Sequence, residues 1–267
     1  MVINPLDRES LRSQFAAARP FPFAKIDGFL DPDFAGRVAS SYPAFETALG
    51  QGATFKTVNE KKKVQITDAT LFPAPVAQLN DALASPGFLA DLSFITGIPE
   101  LLADPELVGG GMHLTGAGGR LDVHLDFNYI EERKLHRRLN LLIYLNPRWN
   151  PEWGGQIQLW DKDVKHCTAS FDPVFNRCVI FETSNISFHG VVPVSASAPM
   201  PRQSFATYFY TRAAPAHWDG TAHSTIFKAR PEEKLRGLVM MPAESIRRKL
   251  DRGIHQLKGG LKHLVGR

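Results

Sequence analysis

His124 and Asp126 stand one residue apart in VHLDFN (residues 123–128), between the apolar Val123, Leu125 and Phe127. Residues two apart on a strand share a face, so the imidazole and the carboxylate point the same way, and the apolar neighbours point the other. Burying both groups is costly unless something satisfies them. A divalent metal would do so, and a plain buried ion pair between them is the alternative. A metal needs a third ligand. Of the nine histidines, His136 and His166 lie in charged stretches that read as loops, while His217, His223, His255 and His263 fall at or beyond the end of the strand-rich region. His189 opens the short apolar run HGVVPV within that region. His124, Asp126 and His189 would form a two-histidine, one-carboxylate facial set, which suits Fe(II) and leaves coordination positions open.

Open positions call for a co-substrate. After His189, PRQSFATYFYT places Arg202 and Ser204 on one strand face, a guanidinium and a hydroxyl suited to gripping a carboxylate. The earlier run LNLLIYLN puts Asn140, Leu142 and Tyr144 on one face, where the Tyr144 phenol reaches the same carboxylate. Asn128 either orients substrate or closes a turn. His113, opposite in alternation to Leu114, reads as structural, and Trp149, Trp153 and Trp160 read as packing.

The elements that must position these residues follow from the pattern around them. Residues 1–104 read as mainly helical. A short strand at Phe23–Ile26 precedes a helix from Pro32, capped by Asp31. Residues 46–70 read as loop or mobile hairpin, and a helical pattern over residues 73–102 breaks at Pro86-Gly87. From residue 105 to 227, short β-branched and aromatic runs punctuated by Gly, Pro and Asn predict a jelly-roll or cupin-like barrel. The chain therefore reads as α+β, mainly β: one domain over residues 1–227 and a basic amphipathic helical tail over residues 228–267.

Composition sets the remaining bounds. Hydrophobic residues make up 43% of the 267, enough for a real core. The net charge of +4 is uneven: residues 228–267 hold 11 Lys and Arg against four Asp and Glu, so the body is slightly acidic and gives no footprint for nucleic acid. Cys167 and Cys178 predict two reduced, buried thiols rather than a disulfide framework. The N-terminus lacks an apolar signal segment and no run is long enough to span a membrane, which predicts a soluble, cytoplasmic protein. The tail's apolar stripe packs on the body or on a second subunit of a homo-oligomer, with peripheral membrane contact as the alternative.

The ordered series HLD, LLIYLN, WGGQIQLW, FHGVVPV and RQS, over about residues 105–212, resembles the iron(II)- and 2-oxoglutarate-dependent dioxygenases, in particular their prolyl-4-hydroxylase-like branch. PFAKIDGFLDPDF (residues 22–34) resembles the opening strand and helix of such proteins. The resemblance implies a double-stranded β-helix braced by N-terminal helices. It implies Fe(II) on His124, Asp126 and His189, with O2 and 2-oxoglutarate as co-substrates and ascorbate as an optional reductant. Arg202 would anchor the distal carboxylate of 2-oxoglutarate with Tyr144 and Ser204, and Asn140 and Leu114 would fall among the pocket residues. The spacing of His189 and Arg202 is longer than usual in this branch, which assigns SASAPMP (residues 195–201) to a widened turn and leaves Arg212 as the fallback anchor. The implied reaction is hydroxylation of an unactivated C–H bond with succinate and CO2 as co-products. Asp126 favours hydroxylation, since related halogenases lack that carboxylate.

The substrate is not written in the chain. A protein prolyl residue, a free amino acid, or an anionic glycan or lipid-linked intermediate all fit, with a small or conjugated metabolite preferred. The basic run EERKLHRR (residues 131–138), through Arg133 and Lys134, and Lys61–Lys63 either rim the mouth for an anionic substrate or are plain solvated surface. Other classes remain: a non-catalytic barrel that binds a ligand or partner, an iron dioxygenase that does not use 2-oxoglutarate, and a zinc hydrolase on the same three ligands.

Overall fold

A computed structural model describes residues 1–216, 218–233, 238, 240 and 241. Helix α1 (Arg8–Ala17) leads to strand β1 (Phe23–Asp27), then α2 (Pro32–Ser40), α3 (Phe45–Gln51) and a hairpin of β2 (Ala53–Lys56) and β3 (Glu60–Ile66). Helices α4 (Ala74–Leu83) and α5 (Pro86–Thr96) follow. The rest is mainly strand: β4 (Leu102–Ala103), β5 (Gly111–Leu125), β6 (Tyr129–Ile130), β7 (Leu135–Tyr144), β8 (Ile157–Trp160), β9 (Cys167–Phe171), β10 (Arg177–Glu182), β11 (His189–Val191), β12 (Arg202–Thr211) and β13 (Ile226–Phe227).

Local chemistry explains the helix boundaries. The Asp31 carboxylate accepts from the Phe34 amide at 2.9 Å, with Pro32 at the first helical position. Ser85 caps α5 in the same way and Gly97, at φ +70°, ends it. The Pro86 break thus divides the predicted helical stretch into α4 and α5.

All strands join one curled antiparallel sheet, with the path β1-β10-β7-β12-β5-β11-β8-β9. β5 is the strand that turns the sheet on itself. It pairs with β3 on both sides of Gly116-Ala117-Gly118-Gly119, with β12 before these residues and with β11 and β13 after them. Gly118 sits at φ +73°, a conformation that favours glycine and lets the strand bend.

Strict alternation then divides the two faces. Leu139, Leu141 and Ile143 of β7, Phe205 and Phe209 of β12, and Met112 and Leu114 of β5 pack with Phe34, Val38, Leu79, Phe88 and Leu92 of the helices. The opposite faces of the same strands line a cavity of about 250 Å³.

One alternative is settled here and two expectations change. Of the loop and hairpin alternatives, residues 53–66 take the hairpin, and it is held in the sheet because β3 completes the edge along β5. Leu135–Arg138 of the predicted basic loop are the start of β7, which leaves only a turn at residues 131–134. Cys178 is buried as predicted, but Cys167 is exposed. Most of the predicted helical tail, with His217, His255 and His263, lies outside the described residues. Among those described, no helix is long and apolar enough to cross a membrane.

Candidate metal and co-substrate site

His124, near the end of β5, faces His189, the first residue of β11, in direct register, and their ring centroids lie 4.3 Å apart. Asp126 follows just past the strand end. His124 Nε2 lies 3.5 Å from Asp126 Oδ1, and His189 Nε2 lies 3.5 Å from Asp126 Oδ2. Candidate ligand atoms of the three residues all fall within 4.8 Å of one another, and all three residues are buried. Each imidazole is oriented by its other nitrogen. His124 Nδ1 donates to the Asp122 carbonyl and His189 Nδ1 to the Ser187 carbonyl, both at 2.9 Å. A carbonyl only accepts, so Nδ1 carries the proton and Nε2 keeps a free lone pair for a metal.

The carboxylate is held just as firmly. Asn140 Nδ2 donates to Asp126 Oδ2 at 2.8 Å, and Arg137 Nη2 pairs with the same oxygen at 3.0 Å. Burial alone would raise the Asp126 carboxyl; Arg137, His189 and His124 outweigh it and hold it well below the usual carboxylate range. Burial, reinforced by His124 and opposed by Asp126, pushes His189 down to about 3. A donor set of two imidazoles and one ionised carboxylate fits a divalent ion of the iron type.

Arg202 opens β12 and lies on the cavity wall, buried. Its Nε donates to the Gly155 carbonyl at 2.7 Å and its Nη1 to Ser204 Oγ at 3.2 Å. Nη2 has no hydrogen-bond partner. The Tyr144 hydroxyl is also buried and unpartnered, and its ring lies 4.9 Å from the guanidinium carbon. Burial raises the phenol to about 12 although the neighbouring Arg202 guanidinium pulls it back. Two orphaned donors side by side in a buried site are what a carboxylate would satisfy.

The remaining predicted residues divide. Ser204 and Asn140 lie in the site. Leu114 does not: it packs on the helices, and its neighbours His113 and Thr115 line the cavity instead. Asn128 pins a distant segment, donating to the Thr221 carbonyl and accepting from the His223 amide. Arg133 pairs with Asp104 and Glu106, and exposed Lys134 pairs with Glu131, so neither lines the cavity. Phe127, expected on the outer face, lines the cavity because β5 ends at Leu125 and alternation ends with it. Arg212, the fallback anchor, is exposed beyond the end of β12.

Sequence reasoning missed Glu60 and Phe227, read Lys63 and Arg137 only within basic runs that either rim the mouth or are solvated surface, and read His113 as structural; all five are on the cavity wall. Lys63 pairs with Glu60 at 2.8 Å, and both side chains are nearly buried. Burial, with the charges of Lys63 and Arg202, drives His113 well below its ordinary value, so it stays neutral. Phe227 places its ring 5.5 Å from that of His124. It is fixed there because the Lys228 amide donates to the Val123 carbonyl and Arg230 Nη2 to the Val191 carbonyl.

Comparison with known proteins bears on this geometry. Residues 110–210 match the 2OG-Fe(II) oxygenase superfamily. Over 78 residues the chain is 37% identical to prolyl 3-hydroxylase OGFOD1 of Mus musculus, a stretch that is 28% of this chain and 14% of that protein. Among solved structures, a Pseudomonas putida prolyl-4-hydroxylase is similar with a TM-score of 0.52 and 18% identity, over 76% of this chain and 99% of that one. A Trichoplax adhaerens prolyl hydroxylase, solved with a hypoxia inducible factor oxygen degradation domain peptide fragment, gives 0.54 at 18% identity, over 76% and 90%. A Phytophthora capsici prolyl 4-hydroxylase gives 0.53 at 19%, over 93% and 78%. At such identities the structural likeness is one of fold, the double-stranded β-helix.

Proposed function

We infer, from a barrel whose residues 110–210 match the 2OG-Fe(II) oxygenase superfamily, that this is an enzyme of the prolyl-4-hydroxylase-like branch that hydroxylates an unactivated C–H bond and releases succinate and CO2. His124, Asp126 and His189 hold Fe(II) in this reading, and Arg202, Tyr144 and Ser204 hold the distal carboxylate of 2-oxoglutarate. The observation that carries it is the pair of buried, unpartnered donors, Arg202 Nη2 and Tyr144 Oη, in a barrel that also holds the His-Asp-His cluster.

When bound, the iron with 2-oxoglutarate and O2 supplies the oxidising power for oxygen insertion. The chain's own residues do the rest. The two imidazoles present Nε2 lone pairs, fixed by the Asp122 and Ser187 carbonyls. Arg202 and Tyr144 fix one end of the co-substrate, so its other end is delivered to the cluster in a single orientation. Phe227, Leu142, Val191 and Ile157 supply apolar wall that limits water.

The cavity volume bears on the substrate. About 250 Å³ is small against the roughly 300–1,000 Å³ of typical ligand pockets. Co-substrate and the reacting end of a substrate fill it, so the remainder of the substrate lies outside the mouth. That favours a conjugated or polymeric substrate over one enclosed whole. A peptidyl proline is the first candidate, since the relatives named above are prolyl hydroxylases.

The test is anaerobic titration of 2-oxoglutarate into the Fe(II)-loaded protein, following the weak visible charge-transfer band. The band should form in the wild type and be lost in Arg202→Met. Tight iron binding without a band would point to an iron enzyme that does not use 2-oxoglutarate. Absence of iron binding would refute the metal site and favour the non-catalytic barrel.

A further inference from the structure

We propose that Arg137 is a positioning residue that, together with Asn140, fixes Asp126 so that only its Oδ1 is free to bind a metal. The proposal rests on the metal-site reading above and adds to it a residue that touches neither metal nor co-substrate in that reading.

Arg137 is 3% exposed. Its Nη2 meets Asp126 Oδ2 at 3.0 Å. Its Nε and Nη2 also donate to Asn140 Oδ1, at 3.0 and 2.9 Å. Asn140 in turn donates its Nδ2 to Asp126 Oδ2. These contacts close a ring of three side chains. The orientation of the Asn140 amide is set by it, since Oδ1 must face the guanidinium and Nδ2 the carboxylate. Aromatic faces hold the guanidinium in place, with the Tyr208 ring centroid 3.6 Å and the Phe127 ring centroid 4.7 Å from its central carbon.

The consequence lies at the carboxylate. Oδ2 accepts the Asn140 amide hydrogen bond and faces the Arg137 guanidinium at 3.0 Å, so both contacts fall on the same oxygen. Oδ1 instead faces His124 Nε2 at 3.5 Å, on the side of the cluster where the ion would sit. One-oxygen binding keeps coordination positions open, as a site needs if it is to take a chelating co-substrate and O2 on the same ion. A carboxylate free to rotate would chelate through both oxygens and fill one of them.

Charge alone predicts the opposite behaviour, which makes the proposal testable. A buried guanidinium beside the site repels a divalent cation, so a purely electrostatic Arg137 would weaken metal binding and its removal would tighten it. A positioning Arg137 strengthens binding, and outer ligand-orienting contacts of this kind typically account for about 10- to 100-fold in metal affinity. The experiment is calorimetric titration of Co(II), without 2-oxoglutarate, into the metal-free wild type, Arg137→Met and Asn140→Leu, with the visible ligand-field spectrum recorded for each. We expect about 10- to 100-fold weaker Co(II) binding in both variants, with a changed spectrum as Asp126 becomes two-toothed. Asn140→Leu alters no charge and decides the question if Arg137→Met fails to fold. Affinity equal to or tighter than wild type, or weaker binding with an unchanged spectrum, overturns the proposal while leaving the metal site standing. A wild type that binds no Co(II) overturns the metal site itself and this proposal with it.

Discussion

Replacing Tyr144 with phenylalanine should move two measurements in opposite directions. The Tyr144 hydroxyl is fully buried and has no hydrogen-bond partner in the ligand-free protein. An unsatisfied buried polar group costs about 1–3 kcal/mol, so removing one oxygen while keeping the ring should stabilise the free protein by roughly 1 kcal/mol or more. The same oxygen is assigned to the distal carboxylate of 2-oxoglutarate. A hydrogen bond to a charged group contributes about 1.5–3 kcal/mol, so its loss should weaken co-substrate binding by roughly 10- to 160-fold. The assay pairs urea denaturation of the metal-free protein with anaerobic 2-oxoglutarate titration of the Fe(II) form. Arg202→Met completes the set: truncating one side of a buried charged contact costs about 2–5 kcal/mol, or roughly 30- to 5,000-fold in affinity. Because both donors address one carboxylate, the double variant should lose less than the sum of the singles. A Tyr144→Phe protein that is less stable than wild type, or that binds 2-oxoglutarate within twofold of it, would falsify the assignment.

Asp126→Ala should weaken Fe(II) binding by more than the roughly 100-fold typical of lost outer contacts and abolish succinate formation; retained turnover would sink the ligand set. Gly155→Ala should weaken 2-oxoglutarate binding at unchanged metal affinity. Gly155 sits at φ +77°, and an added Cβ would meet Arg202 Cδ at 2.9 Å and Trp149 at 3.2 Å, displacing the anchor. The metal-free protein should lose stability on mild acidification. His113 is held well below 6.5 by burial and by Lys63 and Arg202, and His189 is pushed down to about 3. Below the ordinary histidine pKa of 6.5 the unfolded chain takes up protons that these folded imidazoles refuse, so stability falls as pH drops through that value. Both residues act in the same direction between pH 7.5 and 5.5, and a flat denaturation profile across that range would contradict it.

The grouping of His124, Asn140 and Arg202 around one cavity was legible because these residues obey period two on strands. His124, Asn140, Leu142 and Tyr144, and Arg202 with Ser204, lie on the faces that alternation assigns them. Arg137 was hidden by a bulge. The pairing of β12 with β7 runs from Phe209 opposite Leu139 to Tyr210 opposite Arg137, skipping Arg138. Strict alternation would have placed Arg138 beside Asn140; the extra residue brings Arg137 there instead. In LHRRLN, two adjacent arginines carry no mark of which one is buried. Leu114 failed for a different reason. Its neighbour His113 looks out of place on a cavity wall, yet its Nε2 finds the carbonyls of Gly109 and Gly110 at 3.1 and 3.2 Å and the Gln65 amide nitrogen at 3.0 Å. Only the packing of the helices shows that the leucine faces them. Phe227 could not be read at all, and for Lys63 the sequence left rim and solvated surface open, since their places on the cavity wall come from the pairing of β13 and β3 with β5.

The cavity wall is assembled from two kinds of sequence. His124, Asp126, Asn140, His189 and Arg202 lie within residues 110–210, whereas Phe55, Glu60, Lys63, Gln65, Thr225 and Phe227 lie outside them. The inner stretch holds the groups assigned to the oxidation, and the flanking ones shape what approaches it. Heritable change can therefore redraw the approach while the reactive centre stands untouched. A lineage starting from this chain could shift its target through a hairpin and one short strand, with selection on the inner residues holding constant throughout.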